Sequence, residues 1–83
     1  MKYRAKIEVS LKPGHSNPEG ETTARLLNGL GYKVQAVDVS KVYTVALEAQ
    51  TLHDAKAKAE EMSKRLLANP TKDNYTINVE EQK

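Results

Sequence analysis

The residues of this chain whose types could do chemistry are two histidines, four serines and an adjacent pair of glutamates, with no cysteine at all. His15 and His53 have no Cys, Asp or Glu at metal-ligand spacing, so both read as surface residues. Ser10, Ser16, Ser40 and Ser63 lack the arranged base that turns a hydroxyl into a nucleophile. Glu60 and Glu61 share a helix with Lys64 and Arg65, the i to i+4 spacing of surface ion pairs rather than of a carboxylate pair flanking a substrate. Lys12-Pro13-Gly14-His15-Ser16-Asn17 leads into a helix start, where an anion can bind. It lacks the spaced glycines of a phosphate-binding loop, so a capped helix is the simpler reading. No catalytic residue, cofactor site or metal site is expected in this chain.

Positioning these groups falls to a chain of 83 residues, enough for one domain over 1–83. Its net charge is +2 with both signs interspersed, a solvated surface and not a nucleic-acid footprint. A domain this small buries only about 60% of its unfolded surface. Disulfides are unavailable without cysteine, so a homo-oligomer, dimer or tetramer, is the expected remedy. The N-terminal residues show no apolar signal core and no stretch reaches membrane-span length, which predicts a cytoplasmic chain contacting neither membrane nor nucleic acid.

Residues 3–11 alternate apolar and polar, the period of a strand with one buried face. Asn17 and Pro18 open a helix, with Glu19 and Glu21 near its positive end and Gly31 beyond its far end. Ala24, Leu27 and Leu30 mark its buried stripe, with Leu26 at the edge. A second strand is predicted over 33–39, joined by a short Ser40-Lys41-Val42 turn to a third from Tyr43 to Ala49. Thr51 caps a second helix, whose stripe is Leu52, Ala55, Ala59, Met62 and Leu66. Tyr75, Ile77 and Val79 form a fourth strand, with a frayed tail from Glu80. The order β-α-β-β-α-β predicts an α+β two-layer sandwich of the ferredoxin-like kind. Its antiparallel sheet can be continued across subunits by edge strands.

Two boundary runs carry more than helix ends require: Asn17-Pro18-Glu19-Gly20 and Arg65-Leu66-Leu67-Ala68-Asn69-Pro70. Together with Leu11-Lys12, Leu26-Leu27, Leu30-Gly31-Tyr32, Val37 and Tyr75, they make the chain resemble the small PurS subunit of phosphoribosylformylglycinamidine (FGAM) synthase, a ligase of purine biosynthesis. Where the family carries an arginine and a Gly-Lys pair near the second strand, this chain has Asp38, Val39, Ser40 and Lys41, so only the lysine survives. The resemblance implies a non-catalytic accessory subunit that bridges a glutaminase and a large synthetase subunit and supports ammonia transfer. It implies that the complex, not this chain, uses ATP, Mg and glutamine. It also points to Lys12, Asn17, Pro18, Glu19, Gly20, Leu67, Asn69 and Pro70 as partner contacts. The alternative on the same element order is a small-molecule regulatory domain of the ACT type. An acylphosphatase-like enzyme would need an arginine in the first loop, which has Lys12 and His15 instead.

Overall fold

The computed structural model describes residues 1–82. Strand β1 spans Lys2–Leu11, helix α1 Pro18–Gly29, strand β2 Lys41–Glu48, helix α2 Leu52–Met62 and strand β3 Asp73–Glu81. Among the described residues the sheet has three strands, all antiparallel, in the order β2-β1-β3.

The alternation in β1 sets the core. Tyr3, Ala5, Ile7 and Val9 are buried, while Lys2, Arg4, Lys6 and Glu8 face out. Cross-strand neighbours extend each inward position: Ile7 lies between Tyr43 and Ile77, and Ala5 between Val45 and Val79. Helix α2 packs over β1 and β3. Its small residues Ala55, Ala59 and Ser63, four apart, are fully buried and let the helix approach closely. Thr51 caps α2 by accepting from the Asp54 N–H at 3.0 Å, and the Asp54 carboxylate accepts from the Gln50 N–H.

The α+β class and the antiparallel sheet agree with expectation. The second strand does not: 33–39 forms no ladder, and no hairpin joins it to β2. Instead the stretch runs back along α1. The Asn28 side chain bonds both the N–H and the C=O of Val34, Gly20 abuts Val37, and the Asn17 side chain donates to the Val39 carbonyl. From Asn17 to Asn28 the helix axis covers about 16 Å. The return from Val39 to Val34 covers that length in five steps, at the ~3.3 Å per residue of an extended chain. Three backbone groups of the stretch, the Val34 N–H and C=O and the Val39 C=O, meet the side chains of Asn28 and Asn17 in place of a strand ladder.

Helix α1 packs hardly at all on the sheet or on α2. Gly20 is its buried residue, Ala24 and Leu27 are half-buried, and Leu26 and Leu30 are 64% and 75% exposed. The expected stripe therefore faces the 33–39 stretch in part and open solvent in part, not the sheet. Residues 12–40 form an arm, and the radius of gyration is 16.4 Å where a compact domain of this length has about 12 Å.

Helix α2 runs into one π turn, Ser63–Leu67, closed by the Ala68 N–H donating to the Ser63 carbonyl. The wider turn shifts the phase of the helix face. Ser63 and Ala68 are buried and Leu67 half-buried, while Leu66 is 83% exposed and Leu52 also lies outside the core. The predicted stripe thus fails at both ends. Nor does the tail fray at Glu80: β3 continues to Glu81, and the Gln82 N–H donates to the Lys2 carbonyl. Lys83 lies outside the described residues.

Candidate partner interface

The eight residues singled out in the sequence fall into two places. Asn17, Pro18, Glu19 and Gly20 build the arm. Asn17 caps α1, its Oδ1 accepting from the Gly20 N–H at 2.9 Å, and its amide donates to Val39. Gly20 is buried against Val37, whose carbonyl any side chain at this position would meet. Pro18 takes the first helical position, where its missing N–H costs nothing, and both it and Glu19 are exposed. Gly31, at a φ of +101°, ends the helix, with Tyr32 N–H donating to Leu27 O and Gly31 N–H to Asn28 O.

Lys12, Leu67, Asn69 and Pro70 gather at the end of the sheet. The Lys12 ammonium donates to the Pro70 carbonyl at 2.9 Å and its backbone N–H to Lys72 at 2.7 Å. Asn69 holds the following turn: its Oδ1 accepts from Thr71 N–H, and its own N–H donates to the Asp73 carboxylate at 2.8 Å. Asn69 and Pro70 are exposed, and they form one surface corner with Lys12.

Beside that corner, the Tyr75 hydroxyl donates to Glu60 at 2.7 Å, tying β3 to α2. This bond, with Lys64 beside it, holds the Glu60 carboxyl below the usual carboxylate range and pushes the Tyr75 hydroxyl up. Asp54 is also held low, first by the Gln50 N–H. Both glutamate ion pairs expected on α2 form, Glu60–Lys64 at 3.4 Å and Glu61–Arg65 at 2.8 Å. His15 and His53 are exposed, and the described residues contain no cluster of three metal-ligating side chains.

Sequence reading missed Asn28, Asp73 and Leu66. No spacing rule announces the first two, whose partners are backbone groups. The exposure of Leu66 was foreshadowed by Ala55, Ala59 and Ser63, whose regular four-residue spacing competes with the leucine stripe. Leu66 and Leu67 border an apolar groove of about 500 Å³, with Val45 of β2 and Met62 of α2, and Lys58, Glu61 and Arg65 beside them. It lies over the half of the sheet that α2 leaves bare.

These features define a small α+β protein with a half-covered antiparallel sheet and an outlying helical arm. Residues 4–81 match the family described as PurS: Phosphoribosylformylglycinamidine (FGAM) synthase, and the chain belongs to that family. It is 42% identical over 79 residues to the PurS subunit of the synthase from Methanocaldococcus jannaschii, covering 94% of this chain and 95% of that one. The crystal structure of M. jannaschii PurS superposes with a TM-score of 0.85 at 39% identity, covering 98% of this chain and 99% of that one. Thermus thermophilus PurS does so at 0.88 and 33% identity, with both chains fully covered. A chain of the PurLQS structure from Thermotoga maritima shares the fold, with a TM-score of 0.86 at 23% identity over 96% of this chain and 99% of that one. Family membership displaces the ACT-type alternative.

Proposed function

We propose that this chain is a non-catalytic accessory subunit of FGAM synthase, acting in the cytoplasm as a homo-oligomer that holds a glutaminase and a synthetase subunit together. The observation that carries the reading is the amount of apolar surface a family member leaves open: Leu26, Leu30 and Tyr32 on the arm, Leu66 beside the groove. Ordered apolar surface of this kind marks sites of protein association. The T. maritima relative comes from a structure named for three subunits, PurL, PurQ and S, which supports two further partners here.

Ammonia released from glutamine must reach the synthetase before it escapes to solvent. A subunit that fixes the two active sites in one geometry raises its effective concentration without any chemical group of its own. ATP, Mg and glutamine are then substrates and cofactors of the complex. The corner of Lys12, Asn69 and Pro70, with Leu67 behind it, serves as one contact surface, and the exposed Pro18 and Glu19 at the arm's base belong to a second.

The test is retention of partners by the tagged chain from extract of its own cells, with glutamine and Mg-ADP added and bound proteins identified by mass spectrometry. Recovery of a glutaminase and an ATP-binding synthetase supports the reading. A well-folded chain that retains neither refutes it.

A further inference from the structure

The charges of the body are matched at one end of the sheet and unmatched at the other. At the end where β1 begins, opposite signs face each other in register: Lys2 lies opposite Glu48 of β2 and Arg4 opposite Glu80 of β3. Facing positions on paired strands lie about 5 Å apart, within reach of each other. At the end where β1 finishes, like signs meet. The register that sets Leu11 opposite Asp73 continues to Lys12 and Lys72, where the Lys12 N–H donates to the Lys72 carbonyl at 2.7 Å. Two lysines directly opposite repel, and the sheet gains nothing from placing them so.

Two more lysines stand at this end. Lys41 opens β2, and Lys64 lies in the π turn that follows α2. The four sort into two hollows. One, of about 470 Å³, takes Lys12 and Lys64 with Pro70 and Tyr75. The other, of about 190 Å³, takes Lys41 and Lys72 with Tyr43. Asp73 borders both, so the hollows adjoin. Its carboxylate is turned to the Asn69 N–H at 2.8 Å. Among the described residues the ion pairs all lie along α2 and its π turn. Lys64 has Glu60 there, at 3.4 Å, while Lys12, Lys41 and Lys72 have no carboxylate partner.

We propose that this basic end of the sheet receives a segment of a partner subunit rich in Asp and Glu carboxylates, with Lys41 and Lys72 meeting it from one hollow and Lys12 and Lys64 from the other. The inference rests on the accessory-subunit reading and adds the chemistry of the surface that meets the corner. The spread of the charges favours a segment over a small anion. Lys41, Lys12 and Lys72 come from three adjacent strands, each about 4.8 Å from the next, so their row is about 10 Å wide before Lys64 is added. A single phosphate or carboxylate reaches one pair of these lysines. Successive carboxylates of a chain, at ~3.3 Å per extended residue, reach all four. Lys41, Lys64 and Lys72 are exposed and Lys12 half-buried, so they act as charges at the rim of an interface, which set the association rate and its salt dependence.

The triple variant Lys41→Gln, Lys64→Gln and Lys72→Gln removes the three exposed lysines and keeps Lys12, whose ammonium holds the Pro70 carbonyl. Lys2→Gln, Lys33→Gln and Lys56→Gln together remove the same charge from exposed positions elsewhere and serve as the control. Each full-length chain is titrated with a fluorescein-labelled decaglutamate peptide by anisotropy. Each tagged chain is also used to retain partners from extract of its own cells, at low and at raised salt. At low salt the basic-end variant should bind the peptide about tenfold more weakly than the parent, the combined effect of three exposed ion pairs, while the control binds as the parent does. The difference should close as salt rises. The basic-end variant should also release the glutaminase and synthetase at lower salt than the control. Equal peptide binding by the two triple variants shows that only net charge counts and overturns the site. Partners retained equally by the parent and the basic-end variant at every salt overturn it as well, and leave the accessory-subunit reading intact. A parent that retains neither partner refutes that reading, and the peptide titration then decides whether this end takes an acidic segment. Inorganic phosphate that displaces the peptide far better than chloride at equal ionic strength reveals a small-anion site and overturns the segment.

Discussion

Replacing Gly20 by alanine asks whether the arm is a built unit. In an exposed helix interior the change stabilises by about 1 kcal/mol, because alanine loses less backbone freedom on folding. At Gly20 the added Cβ would run into the Val37 carbonyl oxygen, lie 2.9 Å from the carbonyl carbon and 3.2 Å from Asn17 Oδ1. These are backbone and capping atoms, which cannot swing aside as a long side chain does. Overpacking of this kind costs about 1–3 kcal/mol. Moving 33–39 away also strains the Asn17–Val39 bond, worth about 0.5–1.5 kcal/mol. Set against the gain in helix propensity, the net expectation is a loss of about 1–3 kcal/mol. Gly29→Ala is the internal control: it is the last residue of the same helix, has nothing within 4 Å of the new Cβ and should gain up to about 1 kcal/mol. For a chain of this size 1 kcal/mol shifts Tm by about 4–8 °C, so the two variants should move in opposite directions under calorimetry at one fixed concentration. Hydrogen exchange should quicken at Val34 and neighbouring amides in Gly20→Ala. A Gly20→Ala variant that melts higher, as Gly29→Ala should, would refute the packing of α1 against 33–39.

Asn28→Ala removes the side chain that bonds both backbone groups of Val34, so exchange should accelerate over 33–37 while the amides of β1 stay protected. Tyr75→Phe deletes the bond to Glu60 and with it a pH dependence whose sign is fixed. The Glu60 carboxyl is held low in the fold, so its contribution is present above about pH 4 and lost as pH falls through the lowered value. The Tyr75 hydroxyl is pushed up, so its contribution is present below about pH 10 and lost as pH rises through the raised value. The variant should flatten both limbs of a Tm-against-pH curve, and a curve superimposable on the parent's would contradict the assignment. Asn69→Ala leaves the Thr71 N–H without its acceptor and should cost about 0.5–1.5 kcal/mol in chemical denaturation. Pro70→Ala keeps the carbonyl that Lys12 binds, so it should leave stability nearly unchanged and, if the corner meets a partner, reduce co-purification of the other subunits.

The local signals were legible wherever the answer depended on neighbours in sequence. Alternation in 3–11 named the buried face of β1, Asn17 and Thr51 were caps, and Glu61 met Arg65 four residues on. The second strand was not legible, because Val34, Ala36, Val37 and Val39 describe an extended stretch but cannot say what it pairs with. The hydrogen-bonding needs of 33–39 are met in part by Asn17 and Asn28, and β-propensity reports fit to a surface, not the existence of a ladder. Leu66 failed for another reason: the one-turn widening at Ser63–Leu67 adds no composition signal yet reassigns which leucine faces inward. For the proposed interface, the sequence picked positions with special backbone roles. Asn17, Gly20 and Asn69 build the arm and the corner, and Leu66, the most exposed large hydrophobic among the described residues, carried no such role to betray it.

The sheet's central strand is the first one made. Ile7 has Tyr43 on one side and Ile77 on the other, so during synthesis β1 emerges with both edges open and waits through the whole of the arm for its first neighbour. Its second neighbour is the last strand to appear. Strand pairings across such separations form slowly, and an exposed apolar strand is an invitation to aggregate meanwhile. The outward row Lys2, Arg4, Lys6 and Glu8 places a charge at every other position of that waiting strand. Charges at such spacing oppose edge-to-edge pairing of unfinished sheets, which is when this row has most to do.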